Sequence, residues 1–169
     1  MDKRWILIFV ILIIGIFCLY QVVESSTTVG HAIATIDDVI VTIPTGFTNF
    51  QSHEKYISIE NKNTNEKLFL IHKDKSADEA FKKRFYDLES YYDIEVKNNT
   101  TKEFKNTTVR SVYYINTTEN NTEYIESFFE GCNHTYCVKT WNYETQDQAE
   151  KNIEFIIETL HIDYKRPRD

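Results

Sequence analysis

The chain has 169 residues, with 26 acidic side chains against 19 basic ones and a formal net charge of -7. That acidity excludes a protein built to neutralise nucleic-acid phosphates, and four glycines are too few for a glycine-rich phosphate loop. Apolar residues at 41% and aromatics at 14% suffice for a packed core, so one domain with an appendage is expected.

Residues 1–4 form a short stub carrying Lys3 and Arg4, and residues 5–23 run from Trp5 to Val23 with Gln21 as the one polar interruption. As a helix that run spans roughly 28 Å, close to the hydrocarbon thickness of a bilayer. Positive charge stays inside, which places residues 24–169 outside the cell. Two other readings compete with an anchor. A cleaved signal peptide would use Val23 and Ser25 in the exit segment Tyr20–Ser26. A lipoprotein would use Cys18, but Phe17 and Ile16 stand where a small residue belongs. The expected product is a single-pass cell-membrane protein with an uncleaved signal anchor. Its carboxy-terminal part is extracytoplasmic, and the membrane is its first partner.

Asn-x-Ser/Thr sequons fall at Asn98, Asn99, Asn106, Asn116, Asn120 and Asn133. The chain's 13 Asn and its Ser and Thr content predict about two by chance. All six lie beyond the anchor and are glycosylation candidates in a host that performs the reaction. The competing reading is that an Asn/Thr-rich run produces sequons because both residues suit turns. The clustered stretch Asn98–Thr122 is expected to form polar connections that sheathe one end of a sheet. Partners would then meet the end with the Thr45–Phe50 and Cys132–Cys137 turns. Cys132 and Cys137 are the only cysteines beyond the anchor, and an even pair in an oxidising compartment reads as a disulfide. Zinc, with His134 between the thiolates, is the rival reading, but a second ligand cluster is missing.

Residues 24–36 read as a Ser/Thr-rich stalk, and residues 37–162 as the folded part. Asp38–Pro44 alternates and is β-branched, ending at the turn Pro44-Thr45-Gly46. Lys55–Glu60 and Lys67–Lys73 predict a hairpin around Asn61–Asn65. Ser76 with Glu79 three residues on is a capping box, followed by Ala80, Phe81, Phe85, Leu88 and Tyr92 at helical spacing. Strands follow at Ile94–Lys97, Thr107–Ile115, Glu123–Glu130 and Tyr136–Tyr143. A second capping box, Thr145 with Gln148, opens a helix whose apolar face is Ala149, Ile153, Ile156, Ile157 and Leu160. Residues 163–169 form a basic tail. The fold class is α+β, an antiparallel sheet of about six or seven strands packed by two amphipathic helices.

This order of elements, with the Ile43-Pro44-Thr45-Gly46-Phe47 turn, resembles the PsbP-like fold family across about residues 37–162. Phe47 stands where that family more often has Trp. The resemblance implies an α-β-α sandwich and either assistance to a larger membrane complex, the usual case, or a role not known. The family's metal- or halide-associated residues find no counterpart here, and no cofactor is expected.

Catalytic motifs fail in specific ways. No Gly-x-Ser-x-Gly elbow is present. His53-Glu54 begins like a zincin, but Ile57 occupies the second histidine's place. Asp74, Ser76 and Asp78 imitate a calcium loop, yet Glu79 replaces the turning glycine and Phe85 the closing glutamate. Glu158 and His161 match half of a di-iron helix signature that requires two helices. Tyr113, Tyr114, Phe128, Phe129, Trp141 and Tyr143 would line a sugar- or peptide-binding face or pack the sheet. Lys82-Lys83-Arg84 reads as a solvated helix face. The expected function is a non-catalytic binding or assembly module facing an envelope protein or cell-wall polymer. The alternative is an envelope hydrolase with a carboxylate pair drawn from Asp37, Asp38 and Glu60.

Overall fold

The computed structural model describes residues 33–36, 38–53 and 55–162. The expected membrane segment with Cys18, most of the stalk, Asp37, Glu54 and the basic tail lie outside them. Among the described residues no helix is long and apolar enough to cross a membrane.

Ten strands and two helices follow in the order β1 (Ile33–Ile36), β2 (Val39–Thr42), β3 (Phe47–His53), β4 (Tyr56–Asn61), β5 (Lys67–Lys73), α1 (Ala77–Ser90), β6 (Ile94–Phe104), β7 (Thr107–Asn116), β8 (Thr122–Gly131), β9 (His134–Trp141), α2 (Gln146–Thr159) and β10 (His161–Ile162). Seven strands make one sheet in the order β3-β4-β5-β9-β8-β7-β6, and β1-β2-β10 make a second. All pairings are antiparallel. The large sheet is two sets of sequential hairpins, β3-β4-β5 and β6-β7-β8-β9. They are joined at one seam, where β5 pairs with β9 from Lys67↔Trp141 to Lys73↔Thr135.

Side-chain alternation along the strands gives the large sheet two packed faces. On one face Ile57, Leu68, Leu70, Ile125, Phe129 and Val138 pack with Ile153 and Ile156 of α2 and with Val39 and Val41 of the small sheet. On the other, Leu88 of α1 packs with Val112, Tyr114 and Tyr124, while Ala77 packs with Phe128 and Cys137. The helices therefore lie on opposite faces, as a sandwich requires.

Both N-cap residues bond as expected. Ser76 accepts the Glu79 N–H and Thr145 accepts the Gln148 N–H, each at 3.3 Å. α1 ends earlier than expected, because Tyr91 is already extended. Tyr92, expected on the apolar face, is instead 97% exposed. The Pro44–Phe47 turn closes with a 3.3 Å bond from the Phe47 N–H to the Pro44 carbonyl. Gly46 sits at φ 89° there, the left-handed region that favours glycine.

Three strand boundaries depart from the sequence reading. Ile33–Ile36, assigned to the stalk, pairs with β2. Phe47–His53, read partly as a turn, pairs with β4 through a register shift between Thr48 and Gln51. β6 continues through the Asn/Thr-rich residues to Phe104. An edge strand needs only one backbone neighbour, so polar side chains facing water do not prevent it.

Asparagine fills most of the left-handed turn positions among the described residues. Asn65, Asn106, Asn120, Asn121, Asn133 and Asn142 all take φ between 55° and 66°. In a chain with four glycines, Asn fills the left-handed positions at the lowest cost after glycine.

Candidate functional site

α1 covers β6 to β9 and leaves a groove of about 460 Å³ between its exposed flank and strands β5 and β9. Ile71, Ala80, Phe128 and Cys137 supply the apolar lining, and Lys73, Lys75, Lys83, Arg84 and Lys139 the cations. At its inner wall lies Glu126 of β8, with only 6% of its side chain exposed. Arg84 grips it in parallel, Nε to Oε2 at 2.9 Å and Nη2 to Oε1 at 2.8 Å. The Tyr114 hydroxyl donates to Oε1 at 2.6 Å, and Lys139 approaches to 3.6 Å. Burial pushes the Glu126 carboxyl up, but Arg84, Lys139 and the Tyr114 hydroxyl outweigh it and hold the group below its ordinary range. Burial and the neighbouring Glu126 charge push the Tyr114 phenol up.

Lys139 is held over the Tyr124 ring, 4.5 Å from its centroid. Tyr124 belongs to a row of rings crossing six strands: His53, Tyr56, Phe69, Trp141, Tyr124 and Tyr114. Neighbouring rings lie 4.3–5.9 Å apart with interplanar angles of 10–36°, so they stand face toward face. Cross-strand stacking therefore takes up the faces a sugar would stack on. The six aromatics singled out from sequence do not form one surface. Tyr114, Phe128 and Trp141 belong to the α1 side, and Tyr113, Phe129 and Tyr143 to the α2 side.

A second buried carboxylate, Glu66, lies on the α2 side and is 2% exposed. Asn152 donates to both its oxygens, at 3.2 and 3.0 Å, and the Thr140 hydroxyl donates at 3.0 Å. Burial raises its pKa, and those hydrogen bonds offset the rise only in part. At the β8–β9 turn, His134 Nε2 lies 3.0 Å from Asp38 Oδ1, and the His72 ring meets His134 edge-on at 5.1 Å. Among the described residues no group of three metal-ligating side chains converges.

The expected disulfide is absent. Cys132 and Cys137 are both free thiols. Cys132 and Asn133 take φ 55° and 66° as the two residues of a tight turn between Gly131 and His134. Cys137 pairs with Phe128 further down the hairpin, about 10 Å beyond the turn at strand rise. That exceeds the ~7 Å between Cα atoms that a disulfide spans. The side chains also diverge, Cys132 packing toward the α2 core and Cys137 toward α1. Burial pushes both thiols up, so neither is an activated nucleophile.

The other sequence candidates disperse. Asp38 stands beside His134 at one end of β9, while Glu60 pairs with Lys67 and so lies level with Trp141 at the other. Asp74 pairs with Lys55, and Asp78 with Lys82 and Arg110. Glu158 pairs with Lys105, and His161 Nδ1 contacts the Thr159 carbonyl. Lys82 and Lys83 form i,i+4 pairs on the solvent face, but Arg84 turns inward, contrary to the reading of all three as solvated.

The sequons rim the β6 half of the sheet rather than one end. Asn98 and Asn99 are exposed on edge strand β6. Asn106 and Asn133 occupy turns at one end, Asn116 and Asn120 the other. The Thr45–Gly46 turn lies at the Asn116 end, opposite the Cys132 turn.

No family model and no curated protein matches the chain. Among solved structures, it is similar to the solution structure of cyanobacterial PsbP (CyanoP) from Synechocystis sp. PCC 6803. The TM-score is 0.48 and the identity 14%, with 80% of this chain and 95% of that chain covered.

Proposed function

We propose that the chain is a membrane-anchored, extracytoplasmic module of the cell envelope that binds or assembles rather than catalyses. Residues 5–23 would anchor it, the sequons would carry glycans in a host that adds them, and an envelope protein or cell-wall polymer would be its partner. The observation that carries this reading is the state of Glu126. It is the one buried acid of the groove, yet it is held charged and bonded by Arg84 and Tyr114. A general acid needs a raised pKa and a base needs a free lone pair aimed at substrate. Glu126 lacks the raised pKa, and a carboxylate held this acidic is a weak base, which supports a groove that binds rather than one that transforms. Of the three carboxylates in the hydrolase alternative, Asp38 and Glu60 stand at opposite ends of the sheet and do not pair, and Asp37 lies outside the described residues.

Protease added to intact, wall-stripped cells should remove a carboxy-terminal tag, and protection of that tag would reverse the orientation. A photo-crosslinker at Lys75, on the groove rim, should capture an envelope component from those cells. Turnover of an ester or glycoside that Asp38→Asn or Glu60→Gln abolishes would overturn the non-catalytic reading.

A further inference from the structure

We propose that the groove beneath α1 takes a small amphiphilic anion, an acyl or aryl body bearing a single carboxylate or phosphate, an inference that rests on the binding-module reading above. Its floor is apolar: Ile71 and Ala80 are part-exposed there, and Phe128 and Cys137 close it from beneath at 1% exposure each. Its volume lies within the range of small-molecule sites. The body of the ligand would displace water from this surface.

The cations of the rim are not evenly matched. Lys83 is neutralised by Asp87 at 2.6 Å, and Arg84 by Glu126. Asp74 is shared with Lys55, outside the groove. Lys73 and Lys75 meet no acid within ion-pair distance among the described residues. Lys139 reaches only a carboxylate that Arg84 already holds. The Tyr124 ring keeps the Lys139 ammonium over the sheet face. A chain of net charge -7 thus gathers, among the described residues, more cations than acids beside one apolar groove: Lys73, Lys75, Lys83, Arg84 and Lys139 against Asp74, Asp87 and Glu126. A neutral sugar would leave those ammonium groups uncompensated and find no free ring face. An anionic head near Lys73, Lys75 and Lys139 with an apolar tail inward satisfies both features.

The test uses the full chain in neutral-lipid nanodiscs, carrying Trp5→Phe so that Trp141 alone reports. Octanoate and octyl phosphate are the probes, with octanol, acetate and inorganic phosphate as controls. Octanoate or octyl phosphate should change Trp141 fluorescence saturably, with octanol and both tailless anions at least about tenfold weaker. Preference for octyl phosphate would point to a lipid headgroup as the natural source, and preference for octanoate to a free organic acid. Lys139→Met should weaken binding about tenfold, and Ala80→Phe should block it without lowering the thermal midpoint. Equal binding of octanol and octanoate, or no saturable response to either anionic amphiphile, would overturn the proposal. So would polyglutamate binding in their place, which makes the groove an acidic-peptide site. Crosslinking at Lys75 reports separately on the module reading: capture of an envelope component alongside failed titrations removes the ligand class and leaves the module.

Discussion

Arg84 on α1 and Glu126 on β8, 42 residues apart in sequence, form a bidentate pair at 2.9 and 2.8 Å that fastens the helix to the sheet. Removing one partner strands the other's charge in a poorly solvated wall. Arg84→Met should therefore cost about 3–5 kcal/mol in urea unfolding, and the double replacement with Glu126→Met should recover most of it. If the double variant is no more stable than Arg84→Met, the pair is not the relevant interaction.

The two buried carboxylates should give opposite pH dependences. The Glu126 carboxyl is depressed in the folded state, so its stabilisation is present above the ordinary carboxylate pKa. It is lost as pH falls through the lowered folded value. The Glu66 carboxyl is raised, so the folded state holds its proton longer and stability falls as pH rises from the ordinary value through the raised one. Glu126→Gln should flatten the acid limb of a stability–pH curve. Glu66→Gln should remove the decline on the alkaline side of the carboxylate range. Thermal midpoints across pH 3–8, roughly the span in which carboxylates titrate, distinguish the two.

Cys132 occupies the first left-handed position of a two-residue hairpin turn, a site that favours asparagine. Cys132→Asn should stabilise the fold by about 0.5–1 kcal/mol. A disulfide to Cys137 would give the reverse, a loss of about 2 kcal/mol or more. Equal thermal midpoints with and without reductant give the same discrimination without mutation.

The sequons separate into two classes. Asn98 and Asn99 lie on a strand, whereas Asn106 and Asn120 hold φ 64° and 55°. Asn→Gln at 98 and 99 should leave stability unchanged. At 106 and 120 it should cost about 1 kcal/mol each, because Gln enters the left-handed region less readily. The loss should appear equally in protein from a host that adds no glycans. A loss seen only in glycosylated material would assign the effect to the glycan instead.

Both helices were legible because their capping boxes and apolar spacing are local. So was the β4–β5 hairpin, with Ile57 and Ile59 facing one side. β3 was not, since Thr48, Gln51 and Ser52 lack alternation and a register shift interrupts the strand. The outer half of β6 reads as a loop because edge-strand side chains face water. Arg84 hid inside a basic run, and its partner gave the missing signal. Along β8, Glu126 shares a face with Tyr124 and Phe128, and a charge at a core-facing strand position requires a buried counter-charge. For the cysteines, a spacing of five suits a bridged loop and a tight hairpin equally, and only the φ angles at Cys132 and Asn133 separate them.

The single seam between β5 and β9 has a kinetic consequence. Each hairpin set closes between neighbours in sequence, which takes microseconds. The seam joins residues more than sixty positions apart and must wait for a costly loop closure. Until it forms, β5 and β9 are bare edges displaying Leu68, Leu70 and Val138, and such edges pair with whatever strand arrives first. A second nascent chain carries the same β9 and offers the same register to β5. Crowded refolding should therefore produce strand-swapped dimers in which β3–β5 of each copy completes the sheet of the other.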